Sequence, residues 1–300
     1  MKHAYFDSPL DYQTLCSHTE SLCDRYDNIE LSYLGNSLFS RRIPMLSIGE
    51  RNAPSIFYVA GHHATEWLCT GVLLSYAEEL CEKLAREERA YGLSLEYLCR
   101  TRRIVILPQL NVDGTDIHIN GIDQDCPIKD RLERAAGGDF SLWQANGRGV
   151  DLNHNYNARF YEYKALEREM GIFSAAPTRY SGEYPESEPE SAALANYLRY
   201  TRPGLVISLH SQGEVIYGAY SGARGALEIA KRISALSGYA LDTPTEAAAY
   251  GGLCDWYSEE LGLPALTLEC GKGKNPLPLD AGASIYARLR RALFSCASMV

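Results

Sequence analysis

Four residues carry chemistry that can be read from type and spacing: His63, Glu66, His210 and Glu269. His63 and Glu66 stand three apart in GHHATEW, directly after the apolar run IFYVA. Residues three apart share one face of a helical turn, so one turn can aim an imidazole and a carboxylate at one point. On its own, H-x-x-E also marks an ordinary surface helix start. Two further apolar runs end in the same kinds of residue, LVISL stopping at His210 and ALTL at Glu269. In an open α/β sheet, ligands gather beyond the carboxyl ends of the strands. Two imidazoles and a carboxylate, with one coordination position left for water, are what a catalytic zinc requires. Cobalt and nickel accept the same donors. Glu269 then falls to general acid/base work. Zinc lowers the pKa of bound water to roughly 7, and a nearby glutamate can take that proton and hand it to a leaving amine. The plainer alternative for Glu269 is an ion pair with Lys272 or Lys274. His62 reads as a supporting residue, since its neighbour has the right spacing to Glu66, and His18 and His118 read as surface or loop histidines.

The elements that position these residues alternate. The run Ile56 to Ala60 is followed by helical periodicity from Trp67 to about Leu84, which makes a βα unit. Runs from Arg103, Leu205 and Ala265 are short and rich in β-branched residues or leucine, as expected of strands covered on both faces. Helical patterns at Glu188 to Tyr200, Gly225 to Ser237, Cys254 to Leu261 and Leu279 to Phe294 place helices on both faces of a largely parallel sheet. The charged stretch from Glu78 to Arg89 reads as a solvated helix face. The segments Asn111 to Gly121 and Gln144 to Asn157 read as long loops over one end of the sheet, where function is commonly carried.

Composition narrows the partners. The chain has 300 residues, 46% of them hydrophobic, enough for one sizeable core, and is read as a single domain over 1–300. A net charge of −9 without clustered Lys or Arg excludes a nucleic-acid binder and favours solubility. No apolar run approaches the roughly 20 residues of a membrane span, and MKHAYFDSPLDYQTLC lacks the apolar core of a secretory signal. Nine scattered cysteines without a C-x-x-C pair suit a reducing compartment, so a cytoplasmic location is expected.

With these residues in place, the order H-x-x-E, late strand-end His, strand-end Glu resembles the zinc carboxypeptidase family. The resemblance spans most of the chain, through His63-x-x-Glu66-Trp67, NVDG at Asn111, GVDLNHNY at Gly149, SEPES at Ser187, LHSQGE at Leu209, GGLCDW at Gly251 and TLECGKG at Thr267. HSQGE followed by a tyrosine, and ECGKGKNPLP, look closest to bacterial γ-D-glutamyl-diaminopimelate peptidases. The resemblance implies one zinc ion held by His63, Glu66 and His210, with Glu269 as general acid/base. It further implies a three-layer α/β/α fold around a central mixed, largely parallel sheet of about eight strands.

Departures from the family pattern bear on substrate. Where typical members carry an arginine that clamps a terminal carboxylate, GVDLNHNY keeps Asn153 but has His154, and imidazole cannot reproduce a guanidinium fork. Trp143 is followed by Gln144 rather than the oxyanion-stabilising arginine, which leaves Arg148 as the nearest cation for that role, with zinc as the alternative. The family's mobile tyrosine falls at Ala247, with Tyr250 out of register. Gln212, just past His210, is a candidate substrate contact alongside Asn153 and His154. The reading is a zinc peptidase cutting the γ-D-glutamyl-diaminopimelate bond of small muropeptides. A conventional metallocarboxypeptidase and a catalytically silent muropeptide binder are the alternatives, and the oligomeric state is open.

Overall fold

The computed structural model describes residues 4–245 and 250–300. Helix α1 (Tyr12–Arg25) is capped by Asp11, whose side chain accepts from the Thr14 amide at 2.9 Å. It leads into strands β1 (Ile29–Asn36), β2 (Arg42–Gly49) and β3 (Ser55–Ala60). Next come α2 (Trp67–Ala85), a two-stranded ribbon of β4 (Arg89–Ala90) and β5 (Leu93–Ser94), α3 (Leu95–Thr101) and β6 (Arg103–Leu107). Then α4 (Val112–Asn120), α5 (Lys129–Ala136), α6 (Phe160–Glu169) and α7 (Pro189–Thr201) lead to β7 (Leu205–His210) and β8 (Val215–Tyr217). The chain finishes with α8 (Ala226–Ser237), β9 (Ala240–Leu241), α9 (Leu253–Leu261), β10 (Ala265–Glu269) and α10 (Ala281–Cys296).

Eight strands form one sheet in the order β1-β2-β6-β3-β7-β10-β8-β9. The central β6, β3, β7 and β10 run parallel, while β1, β2 and β8 introduce antiparallel pairings. Successive residues of a strand face opposite sides, and β3 shows what covers each side. Tyr58 packs against Tyr76 of α2 and donates its hydroxyl to the Leu293 carbonyl of α10 at 2.6 Å, whereas Phe57 meets Tyr197 of α7. The fold is therefore the three-layer α/β/α arrangement around a mixed, largely parallel sheet. Every residue of β7 is buried, which is why LVISLH shows no polar alternation.

Two readings of the sequence need correction. Asn111 to Gly121 is the helix α4 rather than a loop; Asn111 caps it by accepting from the Gly114 amide at 2.9 Å. Glu79, within the stretch read as a solvated face, is buried and accepts from the Tyr286 hydroxyl at 2.6 Å and the Tyr91 hydroxyl at 3.2 Å. No helix among the described residues is long and apolar enough to cross a membrane.

Candidate metal centre and cleft

The parallel register brings the site together. Glu269 at the end of β10 lies directly opposite His210 at the end of β7, and Leu209 lies opposite Ala60, the last residue of β3. Beyond Ala60 the chain makes a 3-10 turn, Ala64–Glu66, before α2 begins. This turn brings the Nδ1 of His63 within 2.9 Å of one Glu66 oxygen, and the Nδ1 of His210 stands 3.0 Å from the other. Donor atoms of His63, Glu66 and His210 all lie within 4.8 Å of one another. Burial alone would raise the Glu66 pKa, but the two imidazoles outweigh it and hold the carboxyl down at about 2. A buried carboxylate facing two imidazole nitrogens is the donor set of an open zinc site, so the residues present fit that ion.

A second set of residues fixes the first. The Nε2 of His63 meets the buried Asp151 carboxylate at 3.2 Å, which commits the proton to Nε2 and turns the Nδ1 lone pair toward Glu66. Asp151 also accepts from the Arg179 amide at 2.9 Å and the Thr178 hydroxyl at 3.3 Å. Burial would raise its pKa, yet the imidazoles of His63 and His154 and the Arg179 amide hold it well below the usual carboxylate range. Asn275 reaches from the loop after β10 to donate to Glu66 at 3.3 Å and to the Ser211 carbonyl at 2.7 Å. Neither Asp151 nor Asn275 was singled out as a site residue in the sequence; the one signal was their place in GVDLNHNY and ECGKGKNPLP.

Glu269 lines a cavity of about 140 Å³ together with His63, His210, Asn153, His154 and Asp255. Burial pushes the Glu269 pKa up to about 7. Lys272 does not compete for it, being paired with Glu214 at 3.2 Å. Asn153 accepts from the Leu253 amide at 3.3 Å. His154 stacks on Tyr163 with ring centroids 4.0 Å apart and donates from Nδ1 to the Tyr250 carbonyl at 2.8 Å. His62 is buried outside the ligand cluster, its Nε2 3.0 Å from the Tyr156 hydroxyl.

Other candidates lie elsewhere. The guanidinium of Arg148 meets the buried Glu188 at 3.5 Å and lines a separate depression with Tyr180 and Glu183, so it is not among the residues facing the Glu269 cavity. Gln212 is turned toward the Gly273 amide, which donates to its Oε1 at 3.3 Å. Ala247 lies outside the described residues.

A model of the family described as zinc carboxypeptidase matches residues 15–284. The chain belongs to that family. Its cofactor is accordingly zinc, and the protein is a metallopeptidase. Among characterised relatives, the γ-D-glutamyl-L-diamino acid endopeptidase 1 of Lysinibacillus sphaericus is 30% identical over 281 residues, 92% of this chain and 69% of that protein. The uncharacterised protein YqgT of Bacillus subtilis (strain 168) is 30% identical over 284 residues, 92% and 74% of the two chains. The structure of bovine thrombin-activatable fibrinolysis inhibitor shares the fold with TM-score 0.73 at 23% identity, covering 98% of each chain. Murein-tripeptide amidase MpaA from Escherichia coli O157 does so with TM-score 0.54 at 20% identity over 90% of each.

Proposed function

We propose that the protein, as a single catalytic domain over residues 1–300, hydrolyses the amide bond between the γ-carboxyl of D-glutamate and diaminopimelate in small peptidoglycan-derived peptides. His63, Glu66 and His210 would hold one zinc ion, which supplies Lewis-acid polarisation of the scissile carbonyl when bound. Glu269 works as general acid/base. A carboxyl poised at about 7 by burial is half-ionised near neutrality, so it can accept a proton from the attacking water and deliver it to the nitrogen as the C–N bond breaks. Asp151 keeps His63 in the tautomer that presents Nδ1, and Asn275 orients Glu66.

The observation that carries the choice of substrate is His154. Its position in the family pattern is that of the arginine clamp, but its Nδ1 is committed to the Tyr250 carbonyl and burial lowers its pKa. A neutral ring with one nitrogen already engaged provides no bidentate grip on a C-terminal carboxylate. Asn153 and His154 instead line a polar cavity beside Glu269, consistent with an internal γ-linkage. The name of the Lysinibacillus relative supports the same bond class. Arg148 and Gln212 have no part in the proposal, since both side chains are engaged elsewhere.

A direct competition tests this. Zinc-loaded protein is offered a γ-D-glutamyl-diaminopimelate peptide and a blocked hippuryl-type dipeptide at equal concentration. Preferential cleavage of the γ-linked peptide is expected; preference for the blocked dipeptide would make the protein a conventional carboxypeptidase, and cleavage of neither would favour a silent binder.

A further inference from the structure

The cavity beside Glu269 shares a wall with a larger one. A chamber of about 510 Å³ is lined in part by Gly218, Pro244 and Asp255, and the same three residues line the Glu269 cavity. A substrate held at the metal centre can therefore extend one end into this chamber. Its walls are unbalanced in charge: Asp242, Asp255 and Glu259 face a single cation, Arg159, among the described residues. Arg159 pairs with Glu259 at 3.3 Å and lies over the Tyr250 ring at 4.6 Å, so that carboxylate is already met.

Asp255 differs from its neighbours. It sits in the first turn of α9 on the wall common to both cavities, and no hydrogen bond from the described residues acts on its carboxylate. Burial, with the nearby Glu259 charge, pushes its pKa up to about 6. A largely buried carboxylate without a donor is costly unless something supplies one.

We propose that this chamber receives the side chain of the residue on the leaving side of the scissile bond, and that Asp255 pairs with an ammonium carried at its far end. The chemistry selected is that of a diamino acid, which an α-amino group alone does not satisfy because that nitrogen is consumed in the amide. Asp242, exposed at the chamber mouth, adds a second negative charge along the way in. The proposal rests on the peptidase reading of the metal centre but not on the γ-linkage.

The test uses two substrate series, one γ-D-glutamyl-linked and one blocked and α-linked. In each, the leaving residue is diaminopimelate, lysine or norleucine, the last matching lysine in chain form without the ammonium. The wild type is expected to favour lysine or diaminopimelate over norleucine by about tenfold or more in kcat/KM, because a site built for a polar group rejects the analogue lacking it. Asp255→Asn should erase that preference while cutting the norleucine peptide within about threefold of the wild-type rate, which separates lost recognition from lost folding. Asp242→Asn should narrow it partially. Equal preference for lysine and diaminopimelate would identify the ammonium alone as the group read; a strong excess for diaminopimelate would add its distal carboxylate, met by Arg159. The proposal is overturned if wild type cuts norleucine peptides as fast as lysine peptides, or if Asp255→Asn keeps the full preference. Cleavage confined to the α-linked series would sink the γ-linkage while leaving the chamber testable; cleavage of neither would overturn both.

Discussion

Replacing Asp151 by asparagine preserves volume but removes half of its acceptor capacity, and the structure allows the consequence to be worked through. One Asp151 oxygen meets the His63 Nε2 and the Asn153 amide, each at 3.2 Å. The other takes the Arg179 amide at 2.9 Å and the Thr178 hydroxyl at 3.3 Å. An asparagine has one oxygen for these two pairs of donors. With its NH2 turned to His63, the imidazole proton is driven onto Nδ1, the atom that faces Glu66; with its NH2 turned to Arg179, a buried amide loses its partner. Loss of a carboxylate behind a ligating histidine typically costs 10–100-fold in metal affinity, or about 1.4–2.7 kcal/mol. The unpaired donor adds about 1–3 kcal/mol of lost stability. Because Asp151 is 2% exposed, solvent screening does not reduce these figures. The assay is a chelator-competition titration of zinc at fixed pH on wild type and Asp151→Asn, paired with thermal unfolding. Thr178→Val, which removes one donor and leaves the charge, should hold zinc within about threefold of wild type. Wild-type zinc affinity in a folded Asp151→Asn protein would refute the reasoning.

Two further predictions concern stability. Glu190 is fully buried, accepts from the Leu38 amide at 3.0 Å, and has its pKa raised from 4.5 to about 7, chiefly by burial. The folded state thus binds the proton more tightly than the unfolded chain, so this group's contribution is intact below pH 4.5 and is lost as pH rises toward 7. Relative to Glu190→Gln, the wild type should lose roughly 3 kcal/mol between pH 4.5 and 8 in denaturant titrations, and a pH-independent difference would contradict this. Gly251 sits at φ 75°, where an added Cβ would meet the His154 carbonyl oxygen at 2.8 Å. Gly251→Ala should destabilise by about 1–3 kcal/mol, and an unchanged unfolding midpoint would show the backbone there to be pliant.

The parts of the site that were legible in the sequence are those where an apolar strand stops at a titratable residue. Strands β3, β7 and β10 are buried runs, so their ends were visible, and parallel register then sets His210 beside Glu269 without further information. Strands β1 and β2 at the antiparallel edge escaped notice because β1 mixes polar and apolar residues and is only partly buried. Helix α4 was read as a loop because Gly114 interrupts its pattern; that glycine is required where a Cβ would lie 2.1 Å from the Ala145 carbonyl. Arg148 looked available because it was the nearest cation in sequence. The loop turns it away: Asn146 accepts from both the Arg148 and Val150 amides, and the guanidinium goes to Glu188. Asp151 and Asn275 act through contacts 88 and 209 residues distant in sequence, to His63 and Glu66 respectively, which no local pattern encodes.

The central claim is tested most directly by mass-spectrometric analysis of L-Ala-γ-D-Glu-meso-diaminopimelate incubated with zinc-loaded wild type and Glu269→Gln. Free diaminopimelate from the wild type is predicted, with the variant binding zinc normally but slowed by about 10²–10⁴-fold, the usual worth of a general acid/base. An uncut peptide in the wild type, or a Glu269→Gln protein that releases diaminopimelate at the wild-type rate, would contradict the account.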